Sequence, residues 1–421
     1  MGELQKMFES TLDKNRRNEV LFRVIKAKLD EMGITLSTGQ ADTIRKRIMS
    51  NKINNFKLDI DDRVLKSSNI PKQAISTKKL SLDVSNVDNL EETAKNVTQQ
   101  LLSNLPKLIS ELTDIYVDAC NRDFADKIKP IRKQRHEFES RLYKKWKEPL
   151  DLLEYFLTLA MDLGSEFNQD YRPTAVKHKD HVFEALTRLH ARSSQVSFEI
   201  LALLKSGFAD GAHARWRTLH EIAVIALFLS EYGEDVANRY LCYEFIDSYK
   251  AAQVYQKNCA RLGYEPLSEA EMINFEETYQ KVQKQFGRSF CKENGWAATI
   301  VNNNKIKFSD IEEKVGLQHM RSYYKLASNN VHANPKAVFY SLGLSHLKDI
   351  LLAGPSNTGL ADPANGTVLS ICQITTSLLL HETNLDRLVA SKALLRLSDD
   401  IQRVFTETQL NIEKLPAQIS M

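Results

Sequence analysis

The feature that most constrains this chain is a scarcity of helix breakers: Gly 15 and Pro 10 in 421 residues. Apolar residues also recur at a 3.6-residue period over long stretches, so the backbone reads as helix almost throughout. The expected fold is all-α, a helical bundle with an N-terminal helical extension. No internal repeat at solenoid periods is visible. The length allows two or three domains with a sizeable core, and 43% hydrophobic with 26% charged residues suits ordinary globular protein.

Several function classes fall away on composition. The longest apolar run, Ile222 to Leu229, is far short of the roughly 20 residues that span a bilayer. The charged start "MGELQKMFESTLDKNRRNEV" lacks the apolar centre of a signal peptide. No membrane partner is expected. Cys120, Cys242, Cys259, Cys291 and Cys372 are odd in number and never spaced CxxC. That pattern points to reduced thiols and a cytoplasmic location, and against a zinc site or disulfide framework. The net charge of +3 is too small to mark a nucleic-acid binder, so any such footprint must be a local patch.

Along the chain, residues 1–66 read as a small charged helical module. Its first helix stops at Gly33, and its second, capped by Ser37, carries Arg45, Lys46 and Arg47. This pair suits nucleic acid or protein docking. Residues 67–90 are Ser-rich and aperiodic, the best linker in the chain. Residues 91–146 read as long helices ending in the basic run "KIKPIRKQRHEFESRLYKKWK". That run is either a solvated helix face or, with Phe138, Tyr143 and Trp146, a surface for RNA or DNA. The main helical domain spans 147–405, with helices expected over 149–166, 176–205, 211–231, 236–262, 268–286, 311–332 and 368–405. The stretch "GPSNTGLADPANG", residues 354–366, reads as a long functional or mobile loop.

Two stretches carry residues suited to chemistry. In "DGAHARWRTLHEIAVIALFL", Asp210 is placed to cap a helix. His213, Arg217 and Glu221 fall at i, i+4 and i+8 on one stripe leading into a buried run. Charges there need partners, so Arg217 and Glu221 suit an internal ion pair. In "YYKLASNNVHANP", Arg321, Lys325, Ser328 and His332 occupy one narrow stripe, bordered by Asn329. Lys and Arg offset the charge of a phosphate, an amide orients it, and His moves a proton near neutral pH. The structural alternative is a His and Asn that simply terminate a helix. The chain has no GxGxxG, Walker loop, HExxH or GxSxG, so neither cofactor nor metal is expected.

At "GFADGAHARWRTLHE", "YYKLASNNVHANP" and "GPSNTGLADPANG" the chain resembles a bacterial domain-of-unknown-function family. Its pattern is Gly-Ala, then Arg-Thr-Leu-x-Glu, with a distant Leu-Ser-x-x-Val-His. Here these are Gly211-Ala212, Arg217 to Glu221, and Leu326 to His332 with Ala327 inserted before Ser328. The resemblance covers residues 175–390 and implies no activity. A second resemblance is to HEPN domains, helical nucleotide-binding domains that are often ribonucleases of phage-defence and toxin systems. Their motif is Arg, four to six residues, then His, and their site is commonly completed across a homodimer. In this chain Lys325 stands where that motif has Arg, and Lys cannot grip a phosphate bidentately. Arg217 from the other helix would supply the guanidinium.

These readings lead to an expected metal-independent ribonuclease or nucleotide-binding effector of bacterial phage defence or a toxin system. The partners would be RNA, a second copy of the chain or a regulatory protein. His332 would be general base or acid, Arg217 and Lys325 would stabilise charge on phosphorus, Asn329 would orient the phosphate and Glu221 would position Arg217. Arg321, Ser328 and His213 would bind substrate. The competing expectation is a non-catalytic interaction or scaffold protein with a buried Arg-Glu-His polar network. Exposure separates them: an enzyme needs His332 at the floor of a cleft, whereas a scaffold buries it.

Overall fold

The computed structural model describes residues 15–32, 34–36, 38–49, 56–59, 75–76, 79–82, 90–303, 305–332, 335–344 and 351–414. Gly33, Ser37 and most of the expected linker 67–90 lie outside the described residues. The chain divides into two compact units, Met1–Lys129 and Pro130–Met421.

In the first unit, α1 (Asn15–Glu31) and α2 (Thr38–Met49) form the expected helix pair. Phe22, Ile25, Leu29, Ile34, Ile44 and Ile48 are its buried residues. Arg45 lies over the Phe22 ring at 4.2 Å, so this basic residue of α2 is packed against the helix pair. Three short strands follow: β1 (Phe56–Asp59), β2 (Ile75–Ser76) and β3 (Lys79–Leu82), in antiparallel order β1-β3-β2. Two of them fall in the stretch read as linker. Lys79-Leu80-Ser81-Leu82 alternates polar and apolar, the two-residue period of a strand, which a search for helical periodicity passes over.

Helix α3 (Leu90–His178) runs through the basic region and is interrupted at Trp146, where φ is −109° and ψ 16°. Several of its cations are paired along the helix. Lys127 reaches Asp123 at 2.7 Å, Arg135 reaches Glu139 at 3.3 Å and Lys147 reaches Asp151 at 2.5 Å, each four residues apart. The Trp146 indole donates to the Asn357 carbonyl at 2.9 Å, fixing this part of the helix to a distant loop.

The second unit is an all-α bundle. Its helices are the C-terminal part of α3, then α4 (His181–Lys205), α5 (Ala209–Tyr232), α6 (Glu234–Leu262), α7 (Glu269–Phe286), α8 (Phe308–Lys314), α9 (Arg321–Val331), α10 (Pro335–Phe339), α11 (Ala361–Leu379) and α12 (Leu385–Glu413). Helix α5 is the hub and packs against α4, α6, α8, α9 and α11. The sequence explains why: Leu219, Ile222, Ala223, Val224, Ala226, Phe228 and Leu229 are all buried. A helix apolar on every side must be surrounded. On α11, a Cβ at Gly366 would sit 2.7 Å from the Trp216 indole nitrogen, so glycine lets α11 close onto α5.

Five expected boundaries shift. The helix expected over 149–166 is part of α3, which runs on to His178. The helix expected over 311–332 is two helices, divided at Gly316 (φ +73°). That over 368–405 divides before Asn384, whose side chain accepts from the Arg387 N–H at 2.8 Å and caps α12. That over 176–205 divides at Lys179 (φ 56°), and Asp180 caps α4 by accepting from the Phe183 N–H at 2.8 Å. The stretch 354–366 is loop only to Leu360. Its second half is the first turns of α11, where Pro363 has no N–H to lose.

Candidate functional site

The seam between α5 and α9 gathers three of the expected residues, Arg217, Glu221 and Arg321. Along α5, Arg217 donates to Glu221 at 3.1 Å, one turn away. From α9, the Tyr324 hydroxyl donates to the same Glu221 oxygen. Burial, then the hydrogen bond to Glu221, pushes the Tyr324 phenol up to about 12, so it remains a donor at any ordinary pH. Arg217 and Arg321, from the two helices, each place a guanidinium 4.9 Å from the centre of the Tyr324 ring. The Arg217 and Glu221 side chains are 25% and 34% exposed, so the pair is half-buried rather than internal.

Below it lies a network that the sequence did not single out. His220 Nε2 meets Glu312 Oε1 of α8 at 2.8 Å, both side chains fully buried. The other Glu312 oxygen accepts from Arg321 at 3.1 Å. Burial pushes the His220 imidazole down, against the pull of Glu312. A neutral imidazole facing a carboxylate carries its proton on Nε2 and donates it. Arg321 therefore belongs to two sets at once, gripping a buried carboxylate with one end and covering Tyr324 with its face.

The remaining expected residues lie elsewhere on α9 and α5. Lys325 and His332 are exposed, and Ser328 is half-buried, its hydroxyl donating to the Tyr324 carbonyl at 2.7 Å. Asn329 is half-buried. His332 is the residue that ends α9, with φ −107° and ψ 135°, and its N–H donates to the Ser328 carbonyl at 3.1 Å. It is neither at a cleft floor nor behind aliphatic side chains. The nearest large cavity, about 940 Å³, takes Asn330 into its wall, together with Asp210 and Tyr340. His213 faces away from these groups: it is buried, stacked on Trp216 with ring centres 5.5 Å apart. Asp210 sits in the first turn of α5 without capping it. Its carboxylate accepts from the Ser341 hydroxyl and, at 2.9 Å, from the Leu342 N–H, holding the chain after α10.

Of the groups that sequence reasoning missed, His220 was nearest to view, as the variable residue inside Arg-Thr-Leu-x-Glu. Glu312 gave only the weak signal of an acidic residue beside Ile311 in a short helix. Tyr324 read as part of an apolar stripe, which it is, but its hydroxyl does the bridging. Among the described residues, no three His, Cys, Asp or Glu side chains cluster as a metal ion would need.

Comparison with known proteins places part of this architecture. Residues 183–348 match a family of unknown function (DUF5677). The matched region holds α4 to α10, with the Arg217–Glu221 and Leu326–His332 stretches, whereas 354–366 falls beyond it. No curated protein and no solved structure matches the chain.

Proposed function

We propose that this protein is a cytoplasmic effector that binds RNA or a nucleotide along the α5–α9 edge and cleaves RNA there without a metal. One observation carries the reading. Arg217 and Arg321 converge on Tyr324 from two helices while their side chains stay 25% and 32% exposed. Each is oriented by a carboxylate, which leaves the guanidinium edges preorganised toward solvent. Lys325, Ser328 and His332 continue along the same stripe.

The spacing divides the labour. His332 follows Tyr324 by eight residues, about 12 Å along the axis at about 1.5 Å per residue. One phosphate does not reach both the arginines and His332, but a strand lying along α9 meets them in turn. The arginines then hold a neighbouring phosphate. At the scissile one, His332 takes the proton of the ribose 2′-OH, the 2′-oxygen bonds to phosphorus, and the 5′-oxygen leaves with a proton from water. Arg217 and Arg321 are thus binding residues, and Glu221 and Glu312 hold them in position. The test is fluorescence anisotropy with single-stranded RNA at low salt, together with cleavage assays on total RNA and toxicity on induced expression in bacteria. Binding that weakens steeply with salt and with Arg217→Ala supports the reading. RNA that neither binds nor is cut sinks it.

A second reading, a non-catalytic interaction protein serving a regulatory partner, is favoured by the buried His220–Glu312–Arg321 network. A fully satisfied buried network fixes one packing of α5, α8 and α9 without needing any substrate. Under this reading RNA has no measurable affinity, and Arg217→Ala leaves partner binding intact.

A further inference from the structure

On another side of the α5–α9 pair, α11 and α12 close a cavity of about 240 Å³. His213, Trp216, Tyr323, Asp362, Asn365 and Gln402 are among its lining residues, and none of the lining residues is Lys or Arg. Two of the polar atoms in this wall are buried with no hydrogen-bond partner: His213 Nδ1 and Asn365 Oδ1. The His213 side chain is 1% exposed, so solvent does not serve it. The Asn365 amide is oriented, because its Nδ2 donates to the Thr406 hydroxyl at 3.2 Å and leaves Oδ1 as the orphan acceptor.

Asn365 Oδ1 is an acceptor that calls for a donor, and His213 Nδ1 is a second one in the neutral tautomer that carries its proton on Nε2. We propose that this cavity binds a small organic cation bearing a primary amine or guanidinium group. Its N–H donors would meet Asn365 Oδ1, His213 Nδ1 and the Asp362 carboxylate, against the Trp216 and Tyr323 rings. The size agrees: at about 30 Å³ per water the space holds about eight waters, or a ligand of about ten non-hydrogen atoms. The charge agrees too. Burial and the Glu413 carboxylate both raise the Asp362 carboxyl, the signature of an acid with no cation beside it. Burial drives His213 down to about 4, so at neutral pH its imidazole is uncharged and accepts a hydrogen bond without repelling a cation. Aromatic faces add attraction for such a group.

The site is independent of the RNA edge, and its test needs no RNA. Calorimetric titration of the full chain with agmatine, n-butylamine and the neutral n-butanol reads the proposal directly. We expect saturable heats from both cations and none from butanol. Asp362→Asn should weaken binding at least about tenfold while leaving the ligand-free unfolding temperature unchanged. Asn365→Leu should also weaken it and serves if the first variant is poorly folded. No saturable heat from either amine up to about 10 mM, an equal response to butanol, or undiminished affinity in both variants would overturn the proposal and leave a water-filled cavity.

Discussion

The two ends of α9 are built on different terms. At its start, Arg321 and Tyr324 are tied to Glu312, Glu221 and the α5 helix, and the carboxylate beneath them is 1% exposed. Toward its end, His332 stands in solvent on the same stripe, as Lys325 already does beside Tyr324. One helical face therefore passes, within three turns, from residues that hold the fold to residues that hold nothing in place. Spacing shows that the residues share a face. Only their partners show which of them the fold can spare.

The largest expected effect is at the tied end. Glu312→Ala leaves His220 and Arg321 facing an empty buried site, and losing one partner of a buried pair costs about 3–5 kcal/mol. Urea unfolding should show it as a lower midpoint with an unchanged slope. Replacing His220 and Glu312 together by Phe and Leu should be milder, because the buried site is then filled and only Arg321, 32% exposed and within reach of water, loses its carboxylate. Wild-type stability for Glu312→Ala would erase the difference between the two ends.

Acid sharpens the contrast next. Burial holds His190 and His213 at about 4, below the ordinary 6.5. The unfolded chain therefore takes up these protons first as pH falls. Their contribution is complete above pH 6.5 and is lost progressively down to pH 4, by about 3 kcal/mol for each histidine. His220, also pushed down by burial, adds to the loss in the same direction. His190→Gln should flatten the fall in stability between pH 6.5 and 4. A fall just as steep in His190→Gln as in the wild type would place the acid loss at other groups.

Between the two ends, Arg217 and Tyr324 should give intermediate effects. Read from spacing alone, the Arg217–Glu221 pair suits a buried charge and a loss of about 3–5 kcal/mol. Its observed exposure lowers that for Arg217→Ala to about 1–2 kcal/mol, and Tyr324→Phe should lose about 1 kcal/mol, the net value of one hydrogen bond. RNA affinity should separate them. Arg217→Ala should reduce it about tenfold, or about 1.4 kcal/mol, while Tyr324→Phe, which keeps the ring under both guanidinium groups, should change it little. Equal affinity for Arg217→Ala and wild type would remove the arginine from the binding edge.

The helical bundle was legible because helix needs only local information: few breakers, a 3.6-residue period, and the apolar run that makes α5 the hub. The stripe of Arg321, Lys325, Ser328 and His332 was legible for the same reason. The His220–Glu312 pair was not, since those residues are separated by 92 positions and nothing in either neighbourhood names the other. The break at Gly316 was hidden because a glycine at positive φ and a tolerated helical glycine look alike in sequence. The strands β2 and β3 were too short for their alternation to stand out in a Ser-rich stretch.

The smallest effect on stability is expected at the free end, and it carries the most weight for function. His332 is exposed beyond the last turn of α9, and His332→Ala removes no buried contact. Its unfolding free energy should stay within about 0.5 kcal/mol of wild type, as for most surface substitutions. RNA cleavage, by contrast, should disappear, because the 2′-OH loses its proton acceptor, while anisotropy should still report binding through Arg217 and Arg321. The reaction needs only a proton acceptor, a proton donor and cations to hold the strand. Activity in the wild type should therefore survive EDTA, leave 2′,3′-cyclic phosphate ends and spare DNA, which has no attacking hydroxyl. Cleavage abolished by chelation and restored by Mg²⁺ or Mn²⁺ would reject His332 as the base and place the chemistry at carboxylates instead. Cleavage that persists in His332→Ala with cyclic ends would leave the binding edge standing and move the proton transfer to another group along α9.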